Sequence, residues 1–326
     1  MEVIELLSSS LDRFATGCAL TIGNFDGVHL GHQRIIKEAR AAAHRLNAPA
    51  LAVMTFEPHP AAILHPQRAP RLLTPLGAKE QILQNLGVDC LIVLKDSFDL
   101  LNLSPADFVD QFLLKRIGPK VIVEGPNFNF GYGRSGNAQT LKELGASRGF
   151  QVVIVPAKEI KTADGYSFTC SSSIIRTFLE QGAVENAAAA LGRHYRLMGK
   201  TIKGRGIGAQ LGFPTANIEP IEQIVPAEGV YAGFVETGDS MSDVCALGWA
   251  RPAAISIGRA KTFVCDHPLM VEAHILEEKV QDLTGKWLAM DFVKRIRPQQ
   301  RFENKEQLAA QIENDCKKAK KILTTA

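Results

Sequence analysis

Two textures of apolar and polar positions follow one another along the chain. In the first half, continuous apolar runs alternate with segments of helical period. The runs "CALTIGNF" (18–25), "ALAVMTF" (50–56), "CLIVL" (90–94) and "KVIVEG" (120–125) read as buried strands. Between them, "GHQRIIKEARAAAHRL" carries Ile35, Ile36, Ala39 and Ala43 on one helical stripe, and "GAKEQILQNL" and "SPADFVDQFLLKRI" read as further helices. Ser104 and Pro105 are suited to the cap and first turn of the last of these. A Pro-rich loop runs from Pro58 to Pro75, and two more helices are expected near 172–181 and 183–191, closing the domain. Strands that are apolar throughout, each followed by a helix, predict a parallel sheet.

After about Leu191 the pattern changes. Glycines become frequent, and "GVYAGFVE", "AAISIG", "MVEAHIL" and "WLAMDFV" alternate apolar with polar positions, which predicts antiparallel strands and a small barrel. The chain closes in an amphipathic helix with Leu308, Ile312 and Cys316 on one side. A boundary at 185–192 divides the chain into residues 1–187 and 188–326.

Composition adds limits. A length of 326 residues suits two domains of roughly 100–200 residues each. The 37 basic and 34 acidic side chains leave a net charge of +3, which gives no case for nucleic acid or a membrane as partner. Six cysteines stand at 18, 90, 170, 245, 265 and 316, none in a CxxC pair, so neither a zinc site nor a redox dithiol is expected. With no export signal and no apolar run of about 18 residues, the expectation is a cytoplasmic protein. Oligomeric state, including a homo-oligomer, stays open.

The densest chemistry is "GNFDGVHLGH" (23–32), where a strand gives way to a helix. His29 and His32 are three positions apart and share one side of the first helical turn. The N–H groups and positive end of a helix attract anions, and two imidazoles beside them suit the phosphates of a nucleotide. Gly23, Gly27 and Gly31 allow the close turn such a site requires. Helix capping and metal ligation are the rival readings.

The sequence "TIGNFDGVHLGHQRII" resembles the nucleotide-binding motif of the bacterial bifunctional riboflavin kinase/FMN adenylyltransferases, or FAD synthetases. "FEPHP" (56–60), "GPNFNFGYGRSG" (125–136), "SSSIIR" (171–176), "LGFPTAN" (211–217) and "VEAHIL" (271–276) follow in the family's order. The resemblance implies a Rossmann-like α/β nucleotidyltransferase domain and then an antiparallel Greek-key β-barrel of the riboflavin kinase kind with a C-terminal helix. It assigns Gly23, Asn24, His29 and His32 to ATP, with Ser172, Ser173 and Arg176 on the triphosphate. It makes Phe56, Pro58, His59, Asn127, Phe128 and Phe130 the flavin site. Taken alone, Phe56 reads as the end of a core strand, and Phe128 and Phe130 equally as loop packing.

In the second domain the glycines Gly204, Gly206, Gly208 and Gly212 fit a phosphate-cradling loop or plain hairpin turns. The resemblance gives Gly204 and Gly208 to ATP, and Thr215 and Asn217 to magnesium–ATP. It makes Glu272 the base that activates the ribityl hydroxyl. Alternation in "MVEAHIL" puts Glu272 and His274 on the face opposite Val271, Ala273 and Ile275. Mg2+ is implied in both halves, with riboflavin, FMN and FAD as substrates and products rather than prosthetic groups. Three positions depart from the family: Ala209 stands for an arginine, Lys261 for a proline and Thr284 for a common tyrosine. They keep alive an FMN adenylyltransferase with a weakened or flavin-binding-only kinase domain. A flavin-sensing binding protein and an adenylyltransferase for another acceptor are the remaining alternatives.

Overall fold

The computed structural model describes residues 1–6, 17–95, 98–162, 165–204, 206–220, 222–245, 250–259, 269–276 and 283–324. Its contacts group into two compact units. The first holds Met1–Pro70, Lys79–Glu159 and Ser167–Cys170; the second holds Arg71–Ala78, Ile160–Tyr166 and Ser171–Ala326.

The first unit is built on a parallel sheet of β1 (Glu2–Glu5), β2 (Ala19–Ile22), β3 (Leu51–Glu57), β4 (Cys90–Lys95), β5 (Val121–Glu124) and β6 (Gln151–Ile154), in the order β1-β4-β3-β2-β5-β6. The central strands are buried because both faces are covered, which is why they read as unbroken apolar runs. The edge strands β1 and β6 were not expected from the sequence; their residues are mostly exposed or half-buried, although β6 carries a short apolar run, Val152, Val153 and Ile154. The strand order reverses between β2 and β5, and ligands of open parallel sheets bind beyond the carboxyl ends of the strands at such a point. Helix α1 (Leu30–Arg45) follows β2 and buries Ile36, Ala39 and Ala43 as expected, with Ala42 buried in place of the half-buried Ile35.

In the second unit six antiparallel strands close a barrel: β7 (Tyr195–Ile202), β8 (Ala216–Pro220), β9 (Gly229–Gly238), β10 (Arg251–Arg259), β11 (Leu269–Ile275) and β12 (Trp287–Arg297). The order β7-β8-β11-β10-β9-β12 contains the run β12-β9-β10-β11, which is a Greek key. The helices Ser172–Glu180 and Val184–Leu191 belong to this unit, the second packing on β7 and β12. The C-terminal helix, Lys305–Thr324, lies over β9, β10 and β12.

On the outer face of the barrel, opposite Tyr195, Leu197, Met290 and Phe292, the Arg196 guanidinium donates to Asp291 at 2.8 Å, to Glu236 at 2.9 Å and to the Val244 carbonyl at 3.0 Å. All three charged side chains are nearly shielded from water, so removing the cation leaves two carboxylates unanswered. Arg196→Met is expected to destabilise the barrel by about 3–5 kcal/mol, read as its unfolding transition in urea. An unshifted transition would contradict the role given to this network.

Candidate active sites

The backbone from Ile22 to His32 leaves the sheet and enters α1 through a buried polar turn. Phe25 (φ 46°), Gly27 (φ 86°) and Val28 (φ 38°) take left-handed conformations. For a β-branched residue such as Val28 that conformation is costly, so the surroundings must hold it in place. They do so through hydrogen bonds. The Ile22 N–H donates to Glu124 Oε1 at 2.6 Å, and the Gly23 N–H to the Met54 carbonyl at 3.0 Å. The Asn24 carbonyl accepts from Thr55 Oγ1 at 3.1 Å and from Lys79 Nζ at 2.9 Å.

His29 caps α1, its Nδ1 accepting the His32 N–H at 3.3 Å. With Nδ1 an acceptor, the proton of the neutral ring sits on Nε2, which makes that nitrogen a donor. The two imidazoles stack with centroids 3.6 Å apart and a 17° interplanar angle, so they do share one side of the first turn. Gly31 is needed here, because a Cβ would stand 3.0 Å from the His29 ring. His32 Nδ1 is buried with no hydrogen-bond partner. Burial first, then the neighbouring His29 and Lys79, hold the His32 pKa well below its ordinary 6.5. The Leu30 and Gly31 amides face the Cys170 thiol, whose pKa burial raises and those amides lower.

The motif around residue 59 joins this loop directly. His59 Nε2 pairs with the Asn24 carboxamide at 2.8 Å, and His59 Nδ1 accepts the Ala61 N–H at 3.0 Å, capping the short helix Pro60–Leu64. Pro58 follows a cis peptide bond and is exposed; Phe56 is half-buried at the end of β3. Phe128 stacks on Phe130 at 5.4 Å, and Phe130 also packs on Phe108 inside the core. Asn127 is exposed, and its carbonyl accepts from Asn129. Ser171 caps the helix that carries Ser172, Ser173 and Arg176; the Arg176 Nε donates to the Arg71 carbonyl at 2.9 Å, and all of these residues lie in the second unit.

In the barrel, register brings the kinase candidates together. Asn217 on β8 stands opposite Glu272 on β11, and Glu272 stands opposite Ser256 on β10, so the three share one face. Glu272 and His274 lie on the face expected, with Val271, Ala273 and Ile275 buried behind them. His274 Nδ1 pairs with the Pro214 carbonyl at 2.8 Å, and its ring meets Phe213 edge-on, which anchors the "FPTAN" segment. Two cavities share Thr215, and Glu272 and Ser256 of the row line the second of them. One, of about 210 Å³, is lined by Lys203, Gly204, Pro214, Thr215 and Thr284. The other, of about 240 Å³, has Glu272 and Gln299 beside Phe213, Val230, Phe302 and Leu308. Gly204 packs on the Asn217 side chain, and Gly208 on the Phe213 carbonyl. Ala209 is exposed. Lys261 and Arg205, a basic residue near the missing loop arginine, lie outside the described residues.

An α/β unit with a buried polar turn at its switch point, followed by a barrel with two cavities that share Thr215, one of them lined by a carboxylate, suits a two-site transferase for phosphate groups. The comparisons with known proteins agree. Residues 11–168 match the family described as FAD synthetase, and residues 191–323 the family described as riboflavin kinase. The bifunctional riboflavin kinase/FMN adenylyltransferase of Escherichia coli K12 is 32% identical over 92% of this chain and 90% of its own. That of Haemophilus influenzae is 33% identical over 98% of both, and that of Bacillus subtilis 34% identical over 92% and 90%. A crystal structure described as a macrolide-efflux protein from Streptococcus pneumoniae matches 97% of each chain with a TM-score of 0.80 and 27% identity. Among the described residues, no helix is long and apolar enough to cross a membrane. The chain belongs to the bifunctional riboflavin kinase/FMN adenylyltransferase family, with both enzymes in one polypeptide.

Two positions carry expectations. The Glu124 pKa lies well above its ordinary 4.5, raised by burial and only partly lowered by Ile22 N–H and Thr21 Oγ1. Between those values the native state holds a proton that the unfolded chain has released. The associated stability is therefore complete below about pH 4.5 and is lost as pH rises through the folded pKa. Glu124→Gln keeps an acceptor for Ile22 and is expected to raise the Tm of the first unit more at about pH 8 than at about pH 5. Equal shifts at both would contradict the neutral carboxyl. Gly208→Ala drives a methyl group into the Phe213 carbonyl; it is expected to slow riboflavin phosphorylation while leaving FMN-to-FAD turnover intact, both read by chromatography.

Proposed function

We propose that the two reactions run at separate sites, adenylyl transfer within residues 1–187 and riboflavin phosphorylation within 188–326. In the first, a phosphate oxygen of FMN attacks the α-phosphorus of ATP and pyrophosphate leaves. The protein's part is to position the reactants and answer developing charge. His29 and His32 face the phosphates as donors, with Gly23 and Asn24 in the same turn and Ser172, Ser173 and Arg176 on the triphosphate. Phe56, Pro58, His59, Asn127 and Phe128 form the flavin side, and Phe130 supports Phe128 from the core. The stacked histidine pair at the start of α1 is the observation that carries this half.

In the second, Glu272 takes the proton of the ribityl hydroxyl as that oxygen bonds to the γ-phosphorus of ATP and ADP leaves. The cavity lined by Lys203, Gly204 and Thr215 suits the nucleotide, and the cavity beneath the C-terminal helix, whose wall also holds Gly206 and Gly208, suits the flavin ring. The residues present fit magnesium: Thr215 and Asn217 offer neutral oxygens beside the Glu272 carboxylate, a hard donor set. The ion, when bound, screens polyphosphate charge. The row Asn217–Glu272–Ser256, with Glu272 and Ser256 lining a cavity, carries this half. A weakened kinase is the second reading, favoured by Thr284 in the nucleotide cavity wall.

The partners are ATP, riboflavin and FMN, with neither nucleic acid nor membrane. A cytoplasmic location is supported by five free cysteines among the described residues. Glu272→Gln is expected to slow FMN formation from riboflavin by about 10²–10⁴-fold and to leave FAD formation from FMN unchanged. Retained phosphorylation would remove Glu272 as the base.

A further inference from the structure

The Gly23–His32 turn depends on a side chain outside its own motif. Lys79, on the helix Leu76–Asn85, is buried at 4% exposure. Its ammonium donates to the Asn24 carbonyl at 2.9 Å and to Thr55 Oγ1 at 3.4 Å. Thr55 donates to the same carbonyl at 3.1 Å, so that oxygen receives two donors. The Asn24 carboxamide then pairs with His59, which is itself fixed by the Ala61 N–H. One connected set of polar contacts therefore runs from a buried cation, through the ATP-loop residue Asn24, to the segment placed at the flavin.

Both hydrogen-bond acceptors of Lys79 are neutral. Taking an ammonium out of water without a bonded carboxylate is costly. Burial pulls its pKa down, opposed by the fields of Asp26, Glu57 and Glu80. Its charge also reaches His32, lowering that ring's pKa, which places the ammonium within electrostatic range of the histidine pair. A methionine would occupy the same space without the desolvation cost. What the cation adds is a fixed Asn24 backbone and a positive potential where the triphosphate is placed.

We propose that Lys79 is a positioning residue of adenylyl transfer: by holding the Asn24 carbonyl it sets the ATP loop and the His59 segment in one arrangement. This rests on the assignment of Asn24, His29 and His59 made above. Lys79→Met is expected to raise KM for both ATP and FMN in FAD formation about tenfold or more, the worth of a hydrogen bond from a charged group. Riboflavin phosphorylation by the same preparation keeps its kcat and KM and serves as the internal control. A merely structural role gives a different pattern, a smaller active fraction that lowers apparent kcat with both KM values unchanged, and that pattern overturns the proposal. Where Lys79→Met yields no folded protein, Lys79→Gln carries the test: it removes the charge but keeps an N–H donor, so raised KM values support the proposal and unchanged ones overturn it. His29→Ala is measured in parallel. Loss of FAD formation there with unchanged KM values in the Lys79 variants rejects the Lys79 proposal alone. Wild-type FAD formation by His29→Ala removes the site assignment and the Lys79 proposal with it.

Discussion

Backbone polar groups taken out of water must find partners, and at the end of β2 this requirement shapes the whole nucleotide site. The turn after Ile22 is sunk between strands and helix, with Phe25 and Val28 in strained conformations. Glu124 answers one amide and the Met54 carbonyl another, while Thr55 and Lys79 both answer the Asn24 carbonyl. A turn held at this many points presents His29, His32 and Asn24 from a nearly fixed frame. Adenylyl transfer asks for such a frame, because its catalysis is mostly placement and charge.

The barrel reaches its site by a different constraint, strand register. Asn217, Glu272 and Ser256 come from three strands distant in sequence, and they meet because antiparallel pairing sets them opposite one another. A slip of one residue would turn Glu272 into the barrel interior. Glycines at 204 and 208 let the loop lie against Asn217 and Phe213 where any side chain would collide. Glu272 and Ser256 line one cavity, and that cavity meets a second at Thr215.

Much of this was legible in the sequence, for identifiable reasons. Unbroken apolar runs marked β2 to β5, and alternation marked Glu272 and His274, because burial writes those patterns directly. The edge strand β1 left no such mark, being partly in water, and β6 carries only a short apolar run, Val152, Val153 and Ile154, half-buried at the sheet edge. The helices at 172–191 showed an apolar stripe in need of a partner, and a stripe does not say which partner. Lys79 was hidden for a further reason: a lysine within "GAKEQIL" reads as a solvated helix face, and only the fold shows it turned inward. Glu124 was likewise a plain strand end until its neighbour's amide was seen to need it.

The most direct test follows the unmodified protein with ATP and magnesium, separating riboflavin, FMN and FAD over time from two starting points. The account predicts that riboflavin passes first to FMN and then to FAD, and that added FMN passes to FAD with no lag. FAD from FMN but no FMN from riboflavin would contradict the kinase site built around Glu272; no FAD from either start would contradict the nucleotide site at α1.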